Sequence, residues 1–374
     1  MKKKRAIVSV TNDLVTDIRV DKVCRLLATM GFDVLLVGRK LKNSLPITAQ
    51  TYTSKRFTLL FTKGPLFYAE YNLRLFFFLL FQPKAVLVAN DLDTLLPNVL
   101  IAKLKGLHLV YDSHEYYTGV PELESRPAVQ KIWKAIERFC IPKLQYCITV
   151  NHSIAGLYEK EYGIAFKVVR NVPEGNIEIE KKSRQVLGLP DDKKIIILQG
   201  AGININRGAE ELVESMQYLP DYFLLIIGGG DVFDSLQSIA NKCGVNDRVK
   251  LMGKMPRAQL MSYTAAADLG VTLDKPNSTN YLYSLPNKIF DYIYAGIPVL
   301  STNLPELHKV IELYNIGVFT PTHKPEDIAK SISTLFENEA MYNRLKANTT
   351  IAAKELNWEN EKKVLVDMYT QLID

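Results

Sequence analysis

The sequence predicts an α/β protein made of two doubly wound, Rossmann-like domains that face each other across a cleft. Short apolar runs typical of buried strands alternate with helical stretches along most of its 374 residues. The alternation stops at Arg170–Pro190, a segment without apolar periodicity that is typical of a linker, and then restarts. We therefore expect domains at residues 1–170 and 171–352, followed by a helical segment at residues 353–374.

The predicted strands and helices follow this pattern in chain order. In the first half the strands are Ala6–Val10, Val34–Val37, Ala85–Ala89, Leu107–Tyr111 and Cys147–Val150. In the second half they are Lys194–Leu198, Phe223–Ile227, Val249–Met252, Leu269–Leu273 and Val299–Ser301. The helices predicted among and after them include Gly208–Gln217, Ser235–Lys242, Ala258–Ala266, Asn287–Ala295 and Trp358–Leu372. Because ligands of such folds bind at the carboxyl ends of the strands, the loops that follow the strands are where we expect a site.

The charge of the chain is divided unevenly between its halves. Residues 1–170 contain 25 Lys and Arg against 14 Asp and Glu, a net charge of +11. Residues 171–374 contain 21 against 26, a net charge of −5, so the whole chain carries +6. A basic half predicts an anionic partner, either a membrane surface, a substrate or a nucleic acid. Nucleic acid fits less well, because the basic residues are scattered and no nucleic-acid motif occurs.

Other features argue against whole classes of protein. The four cysteines lie far apart without a C-x-x-C pair, which disfavours a zinc site or a disulfide framework and favours a reducing, cytoplasmic setting. The start, MKKKRAIVSV, passes directly into a strand-like run, so we expect no secretory signal. The longest apolar run, Leu75–Phe81, is far shorter than the about 20 residues of a spanning helix, so we expect none.

Two glycine-rich segments follow strands in the second half. QGAGININRGAEEL places Gly202 and Arg207 between a strand and a helix, and IIGGGD places Gly228 at the end of the next strand. Glycines at such positions let backbone N–H groups approach a phosphate, and Arg207 adds a cation. Tight turns of α/β proteins produce the same pattern without a ligand, so both interpretations stay open.

The segment SLPNKIFDYIYAGIPVL carries the strongest signal. A polar loop of Ser284, Leu285 and Asn287 precedes a helix that begins near Lys288. Backbone donors and a lysine at a helix start suit a diphosphate. Asp291 lies in the first turn, where it either accepts hydrogen bonds from the ribose of a nucleotide or only favours the helix N-terminus electrostatically.

These motifs together resemble the retaining glycosyltransferases of the GT-B fold, specifically glycosyltransferase family 4 and its bacterial surface-polysaccharide branch. The resemblance is carried by Gln199–Gly208, IIGGGD, Val249–Leu260, Ala266–Leu273 and SLPNKIFDYIYAGIPVL, and more loosely by ANDLDTLLP, YDSHE and RNVP in the first half. It implies a nucleotide-sugar donor in the second domain and an acceptor in the first. It also implies that the C-terminal helix, from Trp358 on, packs back on the first domain.

The resemblance implies roles for residues of the second half. Arg207 and the Ser284–Pro286 loop would contact the donor diphosphate, and Asp291 would hold the ribose. The nucleobase would pack on a loop of three residues, Lys254, Met255 and Pro256.

This sequence departs from the family pattern at two positions. The first Glu of a pair spaced eight apart falls at Tyr283, and a diphosphate-binding Arg falls near Ala201. Recognition of the donor sugar therefore differs from the usual pattern, and we expect Lys288, and less directly Lys254, to supply the missing positive charge. Since such cations can neutralise a departing diphosphate, we predict an enzyme without metal or cofactor. Asp91 is expected to orient the acceptor pocket, and a metal site at Asp91 and Asp93 is the alternative.

The YDSHE segment presents three polar residues after a predicted strand, Asp112, His114 and Glu115. The resemblance places a histidine beside the transferred sugar, so His114 is the candidate that orients the donor sugar or the acceptor. Asp112 or Glu115 would fix the loop or accept a proton. A loop histidine that only caps a turn is the alternative. Asp13 and Arg19 follow the first strand, where the family has an acceptor-contacting loop, and are weaker acceptor-side candidates.

The apolar stretch Leu66–Phe81 either lies on a membrane surface or forms a buried helix of the first domain. The basic first half favours a polyprenyl-diphosphate-linked acceptor at the inner face of the cytoplasmic membrane.

We therefore expect a hexosyltransferase that moves a sugar from a UDP or GDP sugar to a saccharide or lipid-linked acceptor in surface polysaccharide synthesis. Family members of this kind need no protein nucleophile, because the leaving diphosphate can accept the acceptor's proton. Two alternatives stay open. One is a UDP-N-acetylglucosamine 2-epimerase of the same architecture, and the other is a non-catalytic nucleotide-sugar binding subunit, suggested by Tyr283 and Ala201.

Overall fold

The computed structural model describes residues 4–15, 17–47, 50–175 and 179–372. The contacts divide the chain into two compact units, one formed by Met1–Asn171 with Glu361–Asp374 and the other by Val172–Asn360. Each unit contains one parallel sheet with helices around it. The second unit extends to Asn360, past the boundary expected at residue 352.

The first unit has a seven-stranded sheet within the described residues. Its strands are β1 (Arg5–Asp13), β2 (Asp33–Lys40), β3 (Thr53–Thr58), β4 (Val86–Asn90), β5 (Leu109–Ser113), β6 (Tyr146–Thr149) and β7 (Lys167–Val168). They pair in parallel in the order β3-β2-β1-β4-β5-β6-β7. The helices are α1 (Ile18–Thr29), α2 (Gly64–Leu80), α3 (Leu92–Lys105), α4 (Pro121–Glu124), α5 (Pro127–Cys140) and α6 (His152–Tyr162).

The second unit repeats this plan with six strands. They are β8 (Lys194–Gly200), β9 (Tyr222–Gly228), β10 (Val249–Met252), β11 (Leu269–Thr272), β12 (Val299–Thr302) and β13 (Gly317–Thr320), in the order β10-β9-β8-β11-β12-β13. The helices are α7 (Arg184–Leu187), α8 (Ala209–Ser215), α9 (Phe233–Lys242), α10 (Arg257–Ala266), α11 (Thr279–Leu282), α12 (Lys288–Ala295), α13 (Pro305–Tyr314), α14 (Pro325–Glu337) and α15 (Glu339–Glu355). A core of aliphatic side chains from β8, β9 and β11 packs against α8, α9 and α14.

The last helix, α16 (Trp358–Thr370), begins in the second unit and continues into the first. Within the first unit, Glu361 forms an ion pair with Arg170 at 2.6 Å between Oε1 and Nη2. The Tyr369 ring meets the Phe32 ring edge to face at 6.2 Å between centroids, and Lys4 Nζ donates to the Leu372 carbonyl at 2.9 Å. The end of the chain is thus built into the first unit.

The order of strands reverses direction at the middle of each sheet, between β1 and β4 in the first unit and between β8 and β11 in the second. At such a switch point the loops that leave the two neighbouring strands diverge and open a crevice at their carboxyl ends. Most of the polar residues singled out in the sequence lie after these strands or after their neighbours, and Lys254 follows the edge strand β10.

All four cysteines are unpaired thiols. Among the helices of the described residues, none combines the length and the apolar content needed to cross a bilayer.

Candidate functional site

Two glycine-rich loops of the second unit pack against each other at the carboxyl ends of β8 and β9. The Ile203 N–H donates to the Gly229 carbonyl at 2.8 Å. A Cβ at Gly228 would lie 1.8 Å from the carbonyl oxygen of Gly200, and one at Gly230 would lie 2.4 Å from the nitrogen of Ile203. The close approach of the two loops therefore explains the glycines at 228 and 230 without any ligand.

Gly202 lies in the same loop but has a different environment. Its φ is not positive, and a Cβ built on it would have the Asn204 side chain as nearest neighbour, at 3.5 Å. Neither the backbone conformation nor the packing of the described residues explains a glycine here. An exposed glycine in the loop at the end of β8 is the arrangement that lets a phosphate approach the backbone closely.

Arg207 lies before α8 and reaches the loop that follows β11. Its Nη1 donates to Oδ1 of the fully buried Asp274 at 3.3 Å, and its guanidinium carbon lies 4.5 Å from the Tyr281 ring centroid. Burial alone would lower the pKa of Arg207, but Asp274 and Tyr281 raise it above its usual value, so the side chain is a cation. Nε of Arg207 and Oδ2 of Asp274 are buried without a hydrogen bond to the described residues. A buried ion pair with an unused donor and an unused acceptor is typical of a ligand-binding site.

Lys288 belongs to the same cluster. It is the first residue of α12, and its ammonium makes no ion pair or hydrogen bond within the part of the chain that the structure describes. Burial lowers the pKa of Lys288; the carboxylate of Asp274 opposes this effect, and the charge of Arg207 adds to it. A bound anion beside Arg207 and Lys288 would oppose both effects that lower the pKa of Lys288 and would favour its charged form.

The loop between α11 and α12 places backbone donors beside this cluster. Ser284 is committed to the turn, because its Oγ donates to the Tyr281 carbonyl at 3.0 Å. Asn287 is the N-cap of α12 and makes no side-chain cap hydrogen bond. The N–H groups of Leu285, Asn287 and Lys288 have no backbone acceptor in the described residues. Unpaired donors at a helix N-terminus, next to a lysine, bind anions well.

Asp291 lies buried in the first turn of α12, and both of its carboxylate oxygens have protein partners. Oδ2 accepts from Nε2 of Gln199 at 2.9 Å, and Oδ1 accepts from Nη2 of Arg257 at 2.5 Å. Thr264 Oγ1 in turn donates to Oε1 of Gln199 at 2.6 Å. This chain of hydrogen bonds fixes the carboxylate in one orientation. Because each carboxylate oxygen has two lone pairs, Asp291 can still accept hydrogen bonds from ribose hydroxyls.

The loop proposed to pack on a nucleobase leads directly into this network. Lys254, Met255 and Pro256 precede Arg257, the first residue of α10. The exposed Lys254 side chain crosses Gly229, where a Cβ would lie 2.9 Å from its Cε. Arg257 and Asp274 are the two residues that the sequence analysis missed. Arg257 follows the KMP loop immediately, and Asp274 ends a predicted strand with a lone acidic residue, so both had a weak sequence signal.

In the first unit two of the residues singled out in the sequence are paired with each other. Arg19 and Asp112 form a buried bidentate ion pair, with Nη2 to Oδ1 at 2.7 Å and Nε to Oδ2 at 3.2 Å, and Nη1 of Arg19 donates to the Val169 carbonyl at 2.8 Å. Burial would raise the pKa of Asp112, but Arg19 and His114 hold it well below its usual range. Asp112 is therefore a poor proton acceptor, and Arg19 is not accessible to an acceptor substrate. Both residues fit a positioning role instead.

His114 lies against this ion pair with both ring nitrogens facing protein oxygens. Nε2 lies 3.2 Å from Oδ1 of Asn90 and 3.7 Å from Oδ2 of Asp112, and Nδ1 lies 3.4 Å from Oδ2 of Asp91. Burial would lower the pKa of His114, but Asp91 and Asp112 raise it to about 9. At neutral pH the imidazole is therefore protonated, which suits a hydrogen-bond donor or a local positive charge rather than a general base.

Asp91 and Asp93 point to different partners, which argues against the metal-site alternative. Asp91 accepts the backbone N–H of His114 at 2.8 Å, whereas Asp93 accepts from Oγ1 of Thr11 at 2.5 Å in the interior. Burial, together with the charge of Asp91, raises the pKa of Asp93 to about 8, so its carboxyl group is mostly protonated at neutral pH. Among the described residues, no cluster of three or more His, Cys, Asp or Glu side chains could hold a metal.

The remaining first-unit candidates lie around this cluster. Glu115 is half-buried, and its charge contributes to the raised pKa of Asp93. Asp13 lies at the end of β1 and pairs with Arg56, with Oδ1 3.4 Å from Nη1. Their acceptor-side and proton-accepting roles stay predictions.

The two parallel-sheet units define the fold as GT-B, and solved structures of this fold superpose on nearly the whole chain. Sucrose-phosphate synthase from Thermosynechococcus elongatus aligns with a TM-score of 0.81 over 99% of both chains at 18% sequence identity. HepE from Anabaena, solved in complex with UDP-glucose, aligns with a TM-score of 0.73 over 98% of this chain and 99% of that one at 15% identity. At these identities the likeness concerns the fold.

Sequence comparison narrows the class within this fold. Residues 179–351 match the family model of glycosyl transferases group 1, a range that covers most of the second unit. The chain is 26% identical over 193 residues to the D-inositol 3-phosphate glycosyltransferase of Xylanimonas cellulosilytica, covering 50% of this chain and 45% of that protein. It is 23% identical over 231 residues to the lipopolysaccharide core biosynthesis glycosyltransferase LpsE of Rhizobium meliloti, covering 61% and 64%. The chain thus spans about half the length of the first of these relatives.

Proposed function

We propose that the protein is a retaining glycosyltransferase of family 4 that uses a UDP or GDP sugar as donor. The observation that carries this proposal is the cluster at the switch point of the second sheet. Gly202 lies in the exposed loop after β8, and Arg207 and Lys288 bring two basic side chains, of which Lys288 makes no ion pair with the residues that the structure describes. The match of this unit to group 1 glycosyl transferases and the UDP complexes of HepE support a nucleotide-sugar donor.

In this proposal the second unit binds the donor in three parts. Arg207, Lys288 and the open N–H groups at the start of α12 bind the diphosphate. Asp291, fixed by Gln199 and Arg257, accepts hydrogen bonds from the ribose. The Lys254–Pro256 loop packs on the nucleobase.

The chemistry then needs orientation and charge stabilisation more than a protein nucleophile. The bond between the sugar C1 and the diphosphate oxygen breaks, a bond from the acceptor oxygen to C1 forms on the same face, and the acceptor's proton passes to the diphosphate. Arg207 and Lys288 stabilise the leaving group's charge in place of a metal ion. A protonated His114 would donate a hydrogen bond to the sugar or the acceptor.

We further propose that the acceptor is a saccharide or a polyprenyl-diphosphate-linked saccharide of surface polysaccharide synthesis. The basic first half suits an anionic acceptor, and the similarity to LpsE supports a saccharide product at the cell surface. The protein would act in the cytoplasm, at the inner face of the cytoplasmic membrane.

The decisive experiment combines binding with turnover. Calorimetry with UDP, GDP and ADP should identify one nucleotide that binds, because a matching base is needed besides the diphosphate. The corresponding sugar nucleotides are then incubated with polyprenyl-diphosphate saccharides, with and without EDTA, and the anomeric configuration of the product is measured by NMR. Retained configuration and activity in EDTA are expected.

Two outcomes would replace this proposal. Formation of N-acetylmannosamine from UDP-N-acetylglucosamine without any acceptor would indicate the 2-epimerase. Tight nucleotide binding without transfer or hydrolysis, for every common donor and acceptor, would indicate a non-catalytic subunit.

A further inference from the structure

Helix α2 carries apolar side chains on two opposite faces. Phe67, Tyr71, Leu75 and Leu79, which recur at every fourth position, are buried in the first unit. Leu66, Leu73 and Phe77 lie on the opposite side of the helix, and they are exposed by 57%, 59% and 50%. One face of the helix is thus core, as the buried-helix alternative for Leu66–Phe81 predicts, and the other face is exposed in the part of the chain that the structure describes.

The exposed stripe continues beyond the helix. Phe81, directly after α2, is 79% exposed, and Leu104 near the end of α3 is 65% exposed. The two helix ends lie together, because Lys105 Nζ donates to the Leu80 carbonyl at 3.1 Å. We call Leu66, Leu73, Phe77, Phe81 and Leu104 the α2 face. Exposed apolar side chains grouped in this way are unusual on a water-exposed protein surface and typical of an interaction site.

The loop before α2 adds two further apolar side chains, and it is held in place. Leu60 is 83% exposed and Phe61 is 43% exposed. The carboxylate of Glu70, on α2, accepts the backbone N–H groups of both residues at 2.9 Å, and it is also paired with Arg74 at 2.8 Å. The loop is therefore fixed beside α2.

The charges around the α2 face are positive. Glu70 is the one acidic residue of the α2 sequence, and Arg74 neutralises it. Three exposed lysines remain: Lys63 before the helix, Lys84 just beyond its end and Lys103 in the last turn of α3. Since α2 has 17 residues and a helix rises about 1.5 Å per residue, the cations lie at both ends of an apolar stripe.

We propose that the α2 face docks on an anionic lipid bilayer. This inference deepens the proposed function and rests on it, because a lipid-linked acceptor lies at a membrane surface. The apolar side chains enter the boundary between headgroups and acyl chains, while the flanking lysines meet anionic headgroups. A second copy of the chain is a less suitable occupant, because pairing this face with itself would bring like charges together.

The test is flotation of the full chain with vesicles, in the absence of nucleotide. The vesicles contain phosphatidylglycerol and phosphatidylethanolamine, or phosphatidylcholine alone for comparison. The protein should float with the anionic vesicles and stay behind with the zwitterionic ones. Replacing Phe77→Gln and Phe81→Gln together should weaken binding at least about tenfold, because two large apolar groups no longer leave water.

The matched control is the pair Leu313→Gln and Ile351→Gln in the second unit, which are similarly exposed at 75% and 57%. This pair should bind vesicles as the parent protein does. Replacing Lys84→Gln and Lys103→Gln should weaken binding about fivefold per lysine at low salt and less at high salt. Since all these side chains are exposed, the melting temperature of each variant in solution should stay close to that of the parent.

The proposal is overturned if the parent protein ignores anionic vesicles, or if the phenylalanine pair and its control bind them equally. Dimerisation that depends on Phe77 and Phe81, without vesicle binding, would overturn it in favour of a second copy. Nucleotide binding is measured on the same samples. Loss of vesicle binding with intact nucleotide binding leaves the proposed function standing, and vesicle binding without nucleotide binding leaves only the docking surface.

Discussion

The two units of the molecule treat buried charge in opposite ways. In the first unit Arg19, Asp112, His114 and Asp91 form a chain of ion pairs, so each buried cation has a carboxylate partner, and Asp93 stays mostly protonated at neutral pH. In the second unit Arg207 pairs with the carboxylate of Asp274, and the neighbouring Lys288 makes no ion pair with the described residues. A balanced cluster fixes its members in place, whereas an unbalanced one attracts an anion from outside.

This difference assigns distinct tasks to similar residues. The cations of the second unit are suited to binding a diphosphate, because a bound anion completes their bonding. The cations of the first unit already have carboxylate partners within the protein. These ion pairs therefore orient one protonated histidine, His114. The following four predictions test this contrast, beginning with the largest effect.

Breaking the buried ion pair of Arg19 and Asp112 should give the largest effect, a loss of folding stability in the first unit. Asp112→Asn leaves the Arg19 guanidinium buried without a counter-charge, and we expect a loss of about 3–5 kcal/mol in the free energy of unfolding of this unit. Hydrogen exchange of peptides from β1 and β5, in the presence of denaturant, measures this loss separately from the second unit.

The control is the double variant Arg19→Met, Asp112→Leu, which removes both charges and should recover most of the stability. If Asp112→Asn costs less than about 1 kcal/mol, the pair is not the structural element that we describe.

Removing either cation of the second unit should weaken diphosphate binding, and Arg207→Ala should also lower stability, because it leaves the buried Asp274 carboxylate without its ion-pair partner. Arg207→Ala and Lys288→Ala should each weaken the binding of a nucleoside diphosphate about 10- to 100-fold, because each removes a charge-assisted hydrogen bond. In both variants, binding of the corresponding nucleoside, which lacks phosphates, should change little. Calorimetry measures both. Lys330→Ala, an exposed lysine on α14, is the control, and equal affinities for all three variants would contradict the diphosphate site.

Asp291 should determine recognition of the ribose. Asp291→Asn should reduce by about tenfold the preference for a nucleoside diphosphate over its 2′,3′-dideoxy analogue, since a charged acceptor is lost. Arg257→Ala should reduce it less, because it loosens the carboxylate without removing it. A preference that is unchanged in Asp291→Asn shows that the ribose binds elsewhere.

The pH dependence of the folding stability of the first unit should be the smallest of the four effects. The folded pKa of Asp93, about 8, lies above its ordinary value of 3.8, so its stabilising contribution is complete below pH 3.8 and is lost as pH rises through about 8. The His114 contribution is complete below 6.5 and is lost as pH rises through about 9. Stability of the first unit should therefore fall from about pH 3.8 to about 9, and most steeply between 6.5 and 8, where both groups lose their contributions.

Asp93→Asn keeps an uncharged side chain at this position and should flatten the fall between pH 3.8 and 8. Chemical denaturation across this pH range measures the effect. A fall that is as steep in Asp93→Asn as in the parent protein assigns the dependence to His114 or to another group.

The sequence predicted the interior strands of both sheets well, and missed strands at three sheet edges. β1, β4, β8 and β9 are buried on both faces and therefore appear as apolar runs. The missed strands are β3, with the polar sequence TSKRFT, the two-residue β7, and the half-buried β13. Edge strands have a neighbour on one side only, so their sequences lack this continuous apolar signal.

The candidate site was predictable where its residues follow one another in the sequence. Arg207, Lys288 and Asp291 belong to local motifs at the starts of helices. The pairing of Arg19 with Asp112 joins residues 93 apart in the chain, and that of Arg257 with Asp291 joins residues 34 apart. Such pairs depend on which strand exits become neighbours in the sheet, and no local pattern in a single sequence records that.

The contribution of α16 to the first unit has a consequence for how the protein is made. The ion pair of Arg170 with Glu361 and the ring contact of Phe32 with Tyr369 cannot form early in translation. Glu361 and Tyr369 leave the ribosome only after the whole second unit has been synthesised. The second unit is contiguous in the chain and can fold during translation, whereas the first stays incomplete until the end. A chain cut short directly after Asn360 would have a finished second unit and a first unit open to proteolysis.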